Sequence, residues 1–381
     1  MIKPDYRNGS IVNLMSSIGK ACGSRMIYKS LPQLKPKELS KSKNIILIVI
    51  DGLGYDYLQL HGKKTFLMEN LKGKITSVFP PTTAAAMTTF YTGTAPQQHA
   101  ITGWFMFLKE LGVVARPLPF DPRCGGPPFR DINPKTVFTE KSFFDKINRL
   151  SYIITHEDFV NSDYSKATGG NAKRIAYSNM SGMFRQIKST MNRNKRKKFI
   201  HVYWPKLDSL MHEHGTKSPD AKTHFLEIDR RLREFSKGLK DTTIIITADH
   251  GLTDIDAKNT IFLKDHKGLE SMLALPLCGE MRAAYCYVKP SGAKDFEKYV
   301  RNKFGKKCIL IKTEELIRRG YFGLYKPNKK LKDRSGDYVI LMKGKYGIKD
   351  YLPNEKKEPM KGHHGGLSSE EMFVPLVVFR N

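Results

Sequence analysis

The sequence predicts an α/β protein whose mostly parallel central sheet is covered by helices on both faces. Apolar runs of four to seven residues recur along the chain, and polar residues or glycine follow each run. Continuous apolar strands are typical of parallel sheets that are buried on both faces, and helix-like segments separate several of the runs. The runs that we interpret as strands cover residues 45–50, 75–79, 152–155, 199–204, 242–247 and 373–379.

Residues 218–239 contain the clearest helix. Ser218 can cap its N-terminus, and Pro219 suits the first helical position, where no N–H partner is needed. The apolar residues that follow are spaced alternately by three and four positions, which places them on one face of a helix. These residues are Phe225, Ile228, Leu232, Phe235 and Leu239.

A change of pattern after residue 255 predicts a small α+β unit inserted before the last strand. The segments "RAAYCYVK", "AKDFEKYVRNKF", "CILIKT", "EELIRRGYF" and "DYVILMKG" have the patterns of strand, helix, strand, helix and strand, in this order. We therefore divide the chain into a core, residues 1–255 and 356–381, and an inserted α+β cap subdomain, residues 256–355.

Composition places the chain among globular proteins. Of its 381 residues, 40% are hydrophobic and 27% are charged, which is ordinary for such proteins. No apolar run approaches the roughly 18 residues of a transmembrane helix, and the first residues lack the apolar core of a signal peptide. The five cysteines are scattered and include no C-x-x-C pair. We therefore expect a cytoplasmic protein without a transmembrane segment, disulfides or a cysteine zinc site.

The net charge of +28, from 65 basic and 37 acidic residues, allows two interpretations. It can indicate a polyanionic partner, such as nucleic acid or anionic lipid. It can also reflect a solvated, lysine-rich surface. The one dense block, residues 193–198, precedes a predicted strand and suits a loop between a helix and that strand. Charge runs are usually solvated, so the sequence favours the second interpretation, in which nucleic acid is not a required partner.

Aspartate and histidine residues stand at the ends of several predicted strands. In an open parallel sheet, ligands bind beyond the carboxyl ends of the strands, so these side chains are expected at one edge. A single Asp or His there is usually a cap or a surface group, but several such segments together indicate a site for divalent cations. Gly52 and Gly54 would let the backbone pass close to this site. The candidate ligands are Asp51, Asp208, His212, Asp249, His250, His363 and His364.

Five segments together carry a resemblance to a known family. In chain order they are "VIDGLGYD", "VFPPTTAAAMTTFYTGTAPQQHAITGW", "YWPKLDSLMHEHG", "TADHGLTD" and "KGHHGGLSSEEMFVPL". This set resembles the type I phosphodiesterase/nucleotide pyrophosphatase family of the alkaline phosphatase superfamily. The resemblance runs from about residue 44 to the C-terminus, apart from the insertion. It implies an alkaline-phosphatase-like fold.

The resemblance implies two divalent metal ions as cofactors. Histidine ligands favour zinc, and manganese is the alternative because sites of Asp and His also suit it. One ion would be bound by Asp51, Asp249 and His250, with Thr83 as a further ligand, and the other by Asp208, His212 and His364.

The resemblance also implies a threonine nucleophile and a phosphothreonine intermediate. Thr83 matches the family's position, because Gly93 lies ten residues after it, and Thr82 is the alternative. A metal-bound threonine hydroxyl has a lowered pKa, which makes it a competent nucleophile at neutral pH.

The other histidines near these motifs are not expected to bind a metal ion. His364 is preferred to His363 as a ligand, because it directly precedes Gly365, as the family's H-G motif requires. His99 and His214 are expected to be structural residues or to support the ligands.

Three functions are consistent with the sequence. The first is a two-metal phosphodiesterase or nucleotide pyrophosphatase that acts on a small phosphorylated substrate, such as a nucleotide. The second is another hydrolase of the superfamily, a phosphomonoesterase or phosphonoacetate hydrolase, or a phosphomutase. The third is a non-catalytic basic protein that binds nucleic acid or a membrane surface on the same fold. The intact set of ligand residues counts against the third function, and the resemblance to the type I phosphodiesterase/nucleotide pyrophosphatase family favours the first.

Overall fold

A seven-stranded sheet runs through the centre of the protein. The structure is a computed structural model that describes residues 1–353, 355 and 360–380. Its strands are β1 (Asn44–Ile50), β2 (Leu71–Thr76), β3 (Met106–Leu108), β4 (Val113–Arg116), β5 (Asp121–Pro122), β6 (Leu150–His156), β7 (Lys173–Tyr177), β8 (Lys198–Trp204), β9 (Thr242–Thr247), β10 (Thr253–Asp254), β11 (Thr260–Phe262), β12 (Cys278–Glu280), β13 (Ala283–Cys286), β14 (Cys308–Lys312), β15 (Tyr338–Met342), β16 (Gly347–Lys349), β17 (Gly362–His363) and β18 (Phe373–Arg380).

Helices surround this sheet and the smaller sheets. Within the described residues, no helix is long and apolar enough to cross a lipid bilayer. The α-helices are α1 (Ile11–Ala21), α2 (Pro36–Leu39), α3 (Tyr55–His61), α4 (Phe66–Glu69), α5 (Thr83–Thr92), α6 (Pro96–His99), α7 (Glu157–Val160), α8 (Asp163–Thr168), α9 (Met180–Asn192), α10 (Lys206–His214), α11 (Pro219–Ser236), α12 (Lys267–Ser271), α13 (Ala293–Phe304), α14 (Thr313–Arg318) and α15 (Ser369–Met372).

The central sheet has the strand order β2-β18-β9-β1-β8-β6-β7. Strands β1, β8, β9, β6 and β7 are parallel, whereas β18 is antiparallel to both of its neighbours, β9 and β2. Every residue of β1, β8 and β9 is buried. Because successive side chains of a strand point to opposite faces, both faces are covered. The predicted fold class, an α/β protein with a mostly parallel, covered sheet, is therefore confirmed.

Strand direction decides which residues meet at the edge of the sheet. The carboxyl ends of β1, β8, β9 and β2 lie at one edge, because these strands run in the same direction. The antiparallel β18 begins at that same edge. The segment that precedes β18 therefore reaches the site that the parallel strands form.

The predicted helix over residues 218–239 is α11, with a shorter C-terminus than expected. The Ser218 hydroxyl accepts a hydrogen bond from the N–H of Ala221 at 3.3 Å, as a cap should. The helix ends at Ser236, because Lys237 is extended and Gly238 has a φ of +74°. Leu239 therefore lies beyond the helix, although it still packs against the core.

The basic block lies between α9 and β8, in the predicted type of loop. The last residue of this block, Lys198, is fully buried, unlike the solvated lysine that the sequence predicted. The Lys198 ammonium donates to the carbonyls of Met191, Asn194 and Arg196. This lysine thus satisfies carbonyl groups at the end of α9.

Some strands were not predicted, and one was predicted about four residues too far towards the C-terminus. The expected strand 75–79 corresponds to β2, which ends at Thr76. Strand β7 and the small sheet β3-β4-β5 were missed. The strands of the small sheet have only two to four residues. Such short segments do not show a recognisable alternation of apolar and polar residues.

The inserted region contains the predicted strands and helices as β13, α13, β14, α14 and β15. Its sheet is antiparallel, in the order β12-β13-β15-β14. The predicted division of the chain at 255/256 and 355/356 stays a prediction, and residue 356 lies outside the described residues. Apolar side chains of both regions share one cluster, in which Phe79 and Met372 are grouped with Tyr285 and Leu341.

A buried ion pair also joins the inserted region to α15, the helix that directly precedes the last strand. Arg282 Nη2 lies 3.0 Å from an oxygen of Glu371, and the two side chains are 1% and 0% exposed. The Glu371 carboxylate also accepts hydrogen bonds from the N–H of Gly366 and the hydroxyl of Ser368. It therefore holds the segment just after His364.

We predict that Glu371→Gln lowers the free energy of unfolding by about 3–5 kcal/mol, because it leaves the Arg282 charge buried and unpaired. Denaturant unfolding monitored by circular dichroism would measure this. The matched control is Glu234→Gln, since Glu234 pairs with Arg230 in an exposed ion pair. Such pairs contribute less than about 1 kcal/mol. Equal losses in the two variants would contradict the prediction.

Candidate active site

Three aspartates meet at the edge of the central sheet. Asp51 directly follows β1, Asp249 lies two residues after β9, and Asp208 lies in the first turn of α10, which follows β8. These three strands are neighbours in the sheet. Their ends therefore bring the carboxylates together on rigid elements.

Close contact of two backbone segments requires a glycine beside Asp51. Gly52 has a φ of +76°, and a Cβ atom there would lie 3.1 Å from the Cα atom of Asp208. A side chain at this position would separate the end of β1 from the first turn of α10. The expected close approach of the Gly52 backbone to the site is thus present.

The first candidate metal group consists of Asp51, Asp249 and His250, as expected from the sequence. Their ligand atoms all lie within 4.8 Å of one another. Nε2 of His250 is 3.4 Å from Asp51 Oδ1 and 3.5 Å from Asp249 Oδ2. The hydroxyl of Thr83 lies 3.1 Å from the same Nε2 atom. This group brings a threonine hydroxyl and two carboxylates to one imidazole nitrogen.

The second candidate group differs from the expected one. It contains Asp208, His250 and His364, again within 4.8 Å, whereas the sequence suggested His212 in place of His250. The His250 and His364 rings stack with their centroids 3.9 Å apart, so His250 adjoins both groups. His212 lies beside this group, with Nε2 3.3 Å from Asp208 Oδ2.

The chemistry of the donor atoms fits bound cations. Several buried polar atoms here have no hydrogen-bond partner, which is unfavourable unless an ion or water satisfies them. The opposite oxygens of two carboxylates are satisfied by the protein, since Tyr203 donates to Asp51 Oδ2 and two backbone N–H groups donate to Asp249 Oδ1. The atoms without partners are Asp51 Oδ1, Asp208 Oδ1, Asp249 Oδ2 and His364 Nδ1.

Backbone carbonyls orient two of the histidines. Nδ1 of His212 lies 2.7 Å from the carbonyl oxygen of Gly362, and Nδ1 of His250 lies 3.3 Å from that of Gly251. A carbonyl can only accept, so each Nδ1 donates its proton. In the neutral rings the lone pair is then on Nε2, which faces the carboxylates. Metal-binding histidines in proteins are commonly oriented in this way.

Burial and mutual repulsion shift the pKa values of the site. Burial raises the pKa of Asp51 well above its usual value, and the charges of Asp249 and Asp208 add to this shift. Burial also acts to raise the pKa of Asp208, but the adjacent His212 outweighs it and lowers this pKa. Burial and the neighbouring His250 hold the pKa of His364 well below its usual value. His364 is therefore neutral, as a metal ligand must be.

The two candidate nucleophiles have different surroundings. Thr83 is the first residue of α5, and its hydroxyl reaches His250. Thr82 is fully buried, and its side chain lies next to the Glu280 carboxyl group rather than His250. Thr83 is thus the residue that the fold brings to the candidate ligands.

The other histidines lie apart from both groups. His363 donates from Nε2 to the Met360 carbonyl at 3.1 Å. His99 is buried, where Nδ1 accepts from the Ile101 N–H and Nε2 lies 3.1 Å from the Thr89 hydroxyl. His214 is partly exposed and belongs to neither group.

A cavity of about 650 Å³ opens beside Thr83, and it contains residues that the sequence analysis missed. Glu280, from the inserted region, and Trp104 line it together with Asp208 and His212. No motif marks Glu280 in the sequence. Tyr203 was also missed, although its place next to the last residue of β8 could have indicated a contact with Asp51.

A comparison with protein families agrees with this arrangement. The family model described as type I phosphodiesterase / nucleotide pyrophosphatase matches residues 45–367. The chain belongs to this family. Type I phosphodiesterases/nucleotide pyrophosphatases are metal-dependent phosphoric ester hydrolases, and the two candidate groups provide the ligands that such chemistry needs.

Solved structures with the same fold include two kinds of enzyme. Murine ectonucleotide pyrophosphatase/phosphodiesterase 5 is 18% identical, with 87% of each chain covered and a TM-score of 0.67. Its inactive variant in complex with AMP has a TM-score of 0.65, with the same identity and coverage. Phosphonoacetate hydrolase from Sinorhizobium meliloti is 17% identical, with 89% of this chain and 90% of that chain covered and a TM-score of 0.60. A search of curated proteins found no match.

We predict that metal-stripped protein binds close to two Zn²⁺ or Mn²⁺ ions per chain and melts at a higher temperature with them, because the cations satisfy buried carboxylates. Ions at 100 times their dissociation constant would stabilise the fold by about 2.7 kcal/mol. Isothermal titration calorimetry and thermal melts would measure both effects. His364→Ala should weaken binding, whereas the control His214→Ala should not. A melting temperature that neither ion changes would contradict the prediction.

Proposed function

We propose that this chain hydrolyses phosphodiesters or pyrophosphates of small molecules, with Thr83 as the nucleophile and a phosphothreonine intermediate. The observation that carries the proposal is the position of the Thr83 hydroxyl. Its oxygen lies 3.1 Å from His250 Nε2, beside the unpartnered oxygens of Asp51 and Asp249, at the mouth of a cavity.

Thr83 and the first turn of α5 together suit an attack on phosphorus. The first N–H groups of a helix have no partner within it and attract a phosphate. Thr83 is the first residue of this helix, and its hydroxyl oxygen lies 3.1 Å from His250 Nε2, next to the candidate metal ligands. A phosphate bound at the helix start would thus lie next to the nucleophile.

The reaction proceeds in two displacements at phosphorus. The Thr83 hydroxyl gives its proton to water as a bond forms between Thr83 Oγ1 and phosphorus and the bond to the leaving oxygen breaks. The leaving oxygen takes the electron pair and then a proton from water. Water then attacks the phosphothreonine and frees the Thr83 hydroxyl. Divalent ions held by the aspartates and histidines would neutralise the phosphoryl oxygens and lower the pKa of the threonine hydroxyl.

A nucleotide is the substrate class that we favour. The murine relative, in an inactive form, was solved in complex with AMP, and the family includes nucleotide pyrophosphatases. The similarity to phosphonoacetate hydrolase supports a second candidate, cleavage of a small phosphonate or monoester at the same residues.

We predict that Thr83→Ala lowers turnover by several orders of magnitude while metal binding persists, because the aspartate and histidine ligands remain. Thr83→Ser should retain measurable activity, since it keeps a hydroxyl. The matched control is Thr82→Ala, which should cost little more than about 1 kcal/mol of stability. Rates with a chromogenic diester and calorimetric metal binding test this. An inactive Thr82→Ala beside an active Thr83→Ala would assign the nucleophile to Thr82.

We also predict that bis(p-nitrophenyl) phosphate is cleaved faster than p-nitrophenyl phosphate in the presence of Zn²⁺ or Mn²⁺. The reason is that a threonine nucleophile and the family both favour diesters. Initial rates for both esters, with chelator-treated enzyme as the control, measure this preference. A tenfold preference for the monoester would favour the second candidate function instead.

A further inference from the structure

The cavity beside Thr83 has an acidic residue that no lysine or arginine of the described residues pairs with. Glu280 lies at the end of β12 and lines the cavity together with Asp208 and His212. Among the described residues, the ion pairs include none at Glu280, and the charges of His212 and Asp208 act on its pKa in opposite directions. The carboxyl group therefore contributes negative charge close to the place where phosphate would bind.

Backbone contacts fix Glu280 in this position. Phe105 and Gly279 exchange two hydrogen bonds between their N–H and carbonyl groups, at 3.3 and 2.6 Å. The N–H of Trp104 donates to Glu280 Oε1 at 2.7 Å. A Cβ atom on Gly365 would lie only 2.4 Å from the Glu280 Cβ atom, so Glu280 packs directly on the residue that follows His364.

The two arginines of the cavity are already neutralised. The Arg123 side chain is 2% exposed and pairs with Asp350 and Glu355 at 2.6 and 2.8 Å. Its remaining terminal nitrogen donates to the carbonyl of Leu277. Neither the guanidinium charge nor its donors are then available to an additional phosphate.

Arg116 is neutralised by a carboxylate in the same way, whereas Lys349 contacts an aromatic ring, which leaves its charge in place. Arg116 makes two hydrogen bonds to Asp121, at 2.8 and 2.5 Å. Lys349 has its ammonium 4.6 Å from the centroid of the Tyr351 ring. A site for polyphosphates would instead present several uncompensated basic groups.

Resting on the proposed function, we propose that Glu280 is a specificity-determining residue that rejects a second negative charge and so selects phosphodiesters that carry one charge and an uncharged alcohol. Phosphomonoester dianions and substrates with an additional phosphate are disfavoured, because like charges in a partly buried cavity repel each other. This narrows the substrate class from diesters and pyrophosphates to diesters.

The test compares AMP with cyclic 3′,5′-AMP, which share a nucleoside but differ by one charge at phosphorus. Binding of each to metal-loaded protein is measured by calorimetry at pH 8.5, where Glu280 is ionised, since burial raises its pKa only to about 7. Glu280→Gln keeps an acceptor for the Trp104 N–H but loses the charge. We expect it to bind AMP roughly tenfold more tightly, with the affinity for cyclic AMP changed by less than about threefold.

Two control variants and a metal analysis distinguish the effect of the Glu280 charge from other effects of replacing this residue. Glu280→Asp keeps the charge and should keep the wild-type preference. Glu314→Gln, on the same inserted region but exposed and paired with Lys332, should match the wild type. The metal content of Glu280→Gln should equal that of the wild type, and a lost ion would overturn the proposal by making Glu280 a ligand.

Two further outcomes are decisive. An unchanged affinity of Glu280→Gln for AMP, or an equal gain for both nucleotides, would overturn the proposal. Binding does not require turnover, so failure of the proposed function is seen separately. If the wild type hydrolyses no ester but shows the expected charge-dependent binding, the proposed function fails and the charge selection by Glu280 stands.

Discussion

Burial of three aspartates at one edge of the sheet is the constraint on which the rest of the site depends. Asp51, Asp208 and Asp249 stand beside one another, and each has an oxygen without a hydrogen-bond partner. Buried like charges are unfavourable unless cations compensate them. The apolar strands that carry these residues supply the opposing free energy, since β1, β8 and β9 are buried throughout. The sheet therefore keeps the carboxylates together and makes the edge a site that divalent cations stabilise.

The antiparallel strand β18 completes this arrangement. A parallel strand would deliver its preceding loop to the opposite edge, far from the aspartates. Because β18 runs against β9 and β2, the segment that contains His364 reaches the carboxyl edge. Glu371 then holds that segment through Gly366 and Ser368, and its ion pair with Arg282 links the same segment to the inserted region. One buried carboxylate thus joins the position of a candidate ligand to the wall of the cavity.

Much of the fold and most of the candidate site could be predicted from the sequence, because both follow from local patterns. The apolar runs that precede Asp51, Asp208 and Asp249 mark buried parallel strands. The sequence of α11 shows both its N-terminal cap and its apolar face. Tertiary contacts leave no such pattern. Glu280 reaches the cavity only through the pairing of Phe105 with Gly279, two segments more than 170 residues apart. His250 belongs to both candidate metal groups, and its ring stacks on that of His364. No spacing of residues in the sequence encodes this contact.

The core and the inserted region have different roles in the proposed recognition of a substrate. In the proposed function, the core would place carboxylates, imidazoles and a helix N-terminus around the reacting phosphoryl group, which every substrate of this chemistry shares. The inserted region supplies Glu280 and the carboxylates that neutralise Arg123, and these act on the remainder of the substrate. Since the inserted β12 is joined to the core by backbone hydrogen bonds at Phe105, its side chains can differ without displacing the ligands. Discrimination between phosphate esters can then change through the charge at Glu280, while the geometry around Thr83 is preserved.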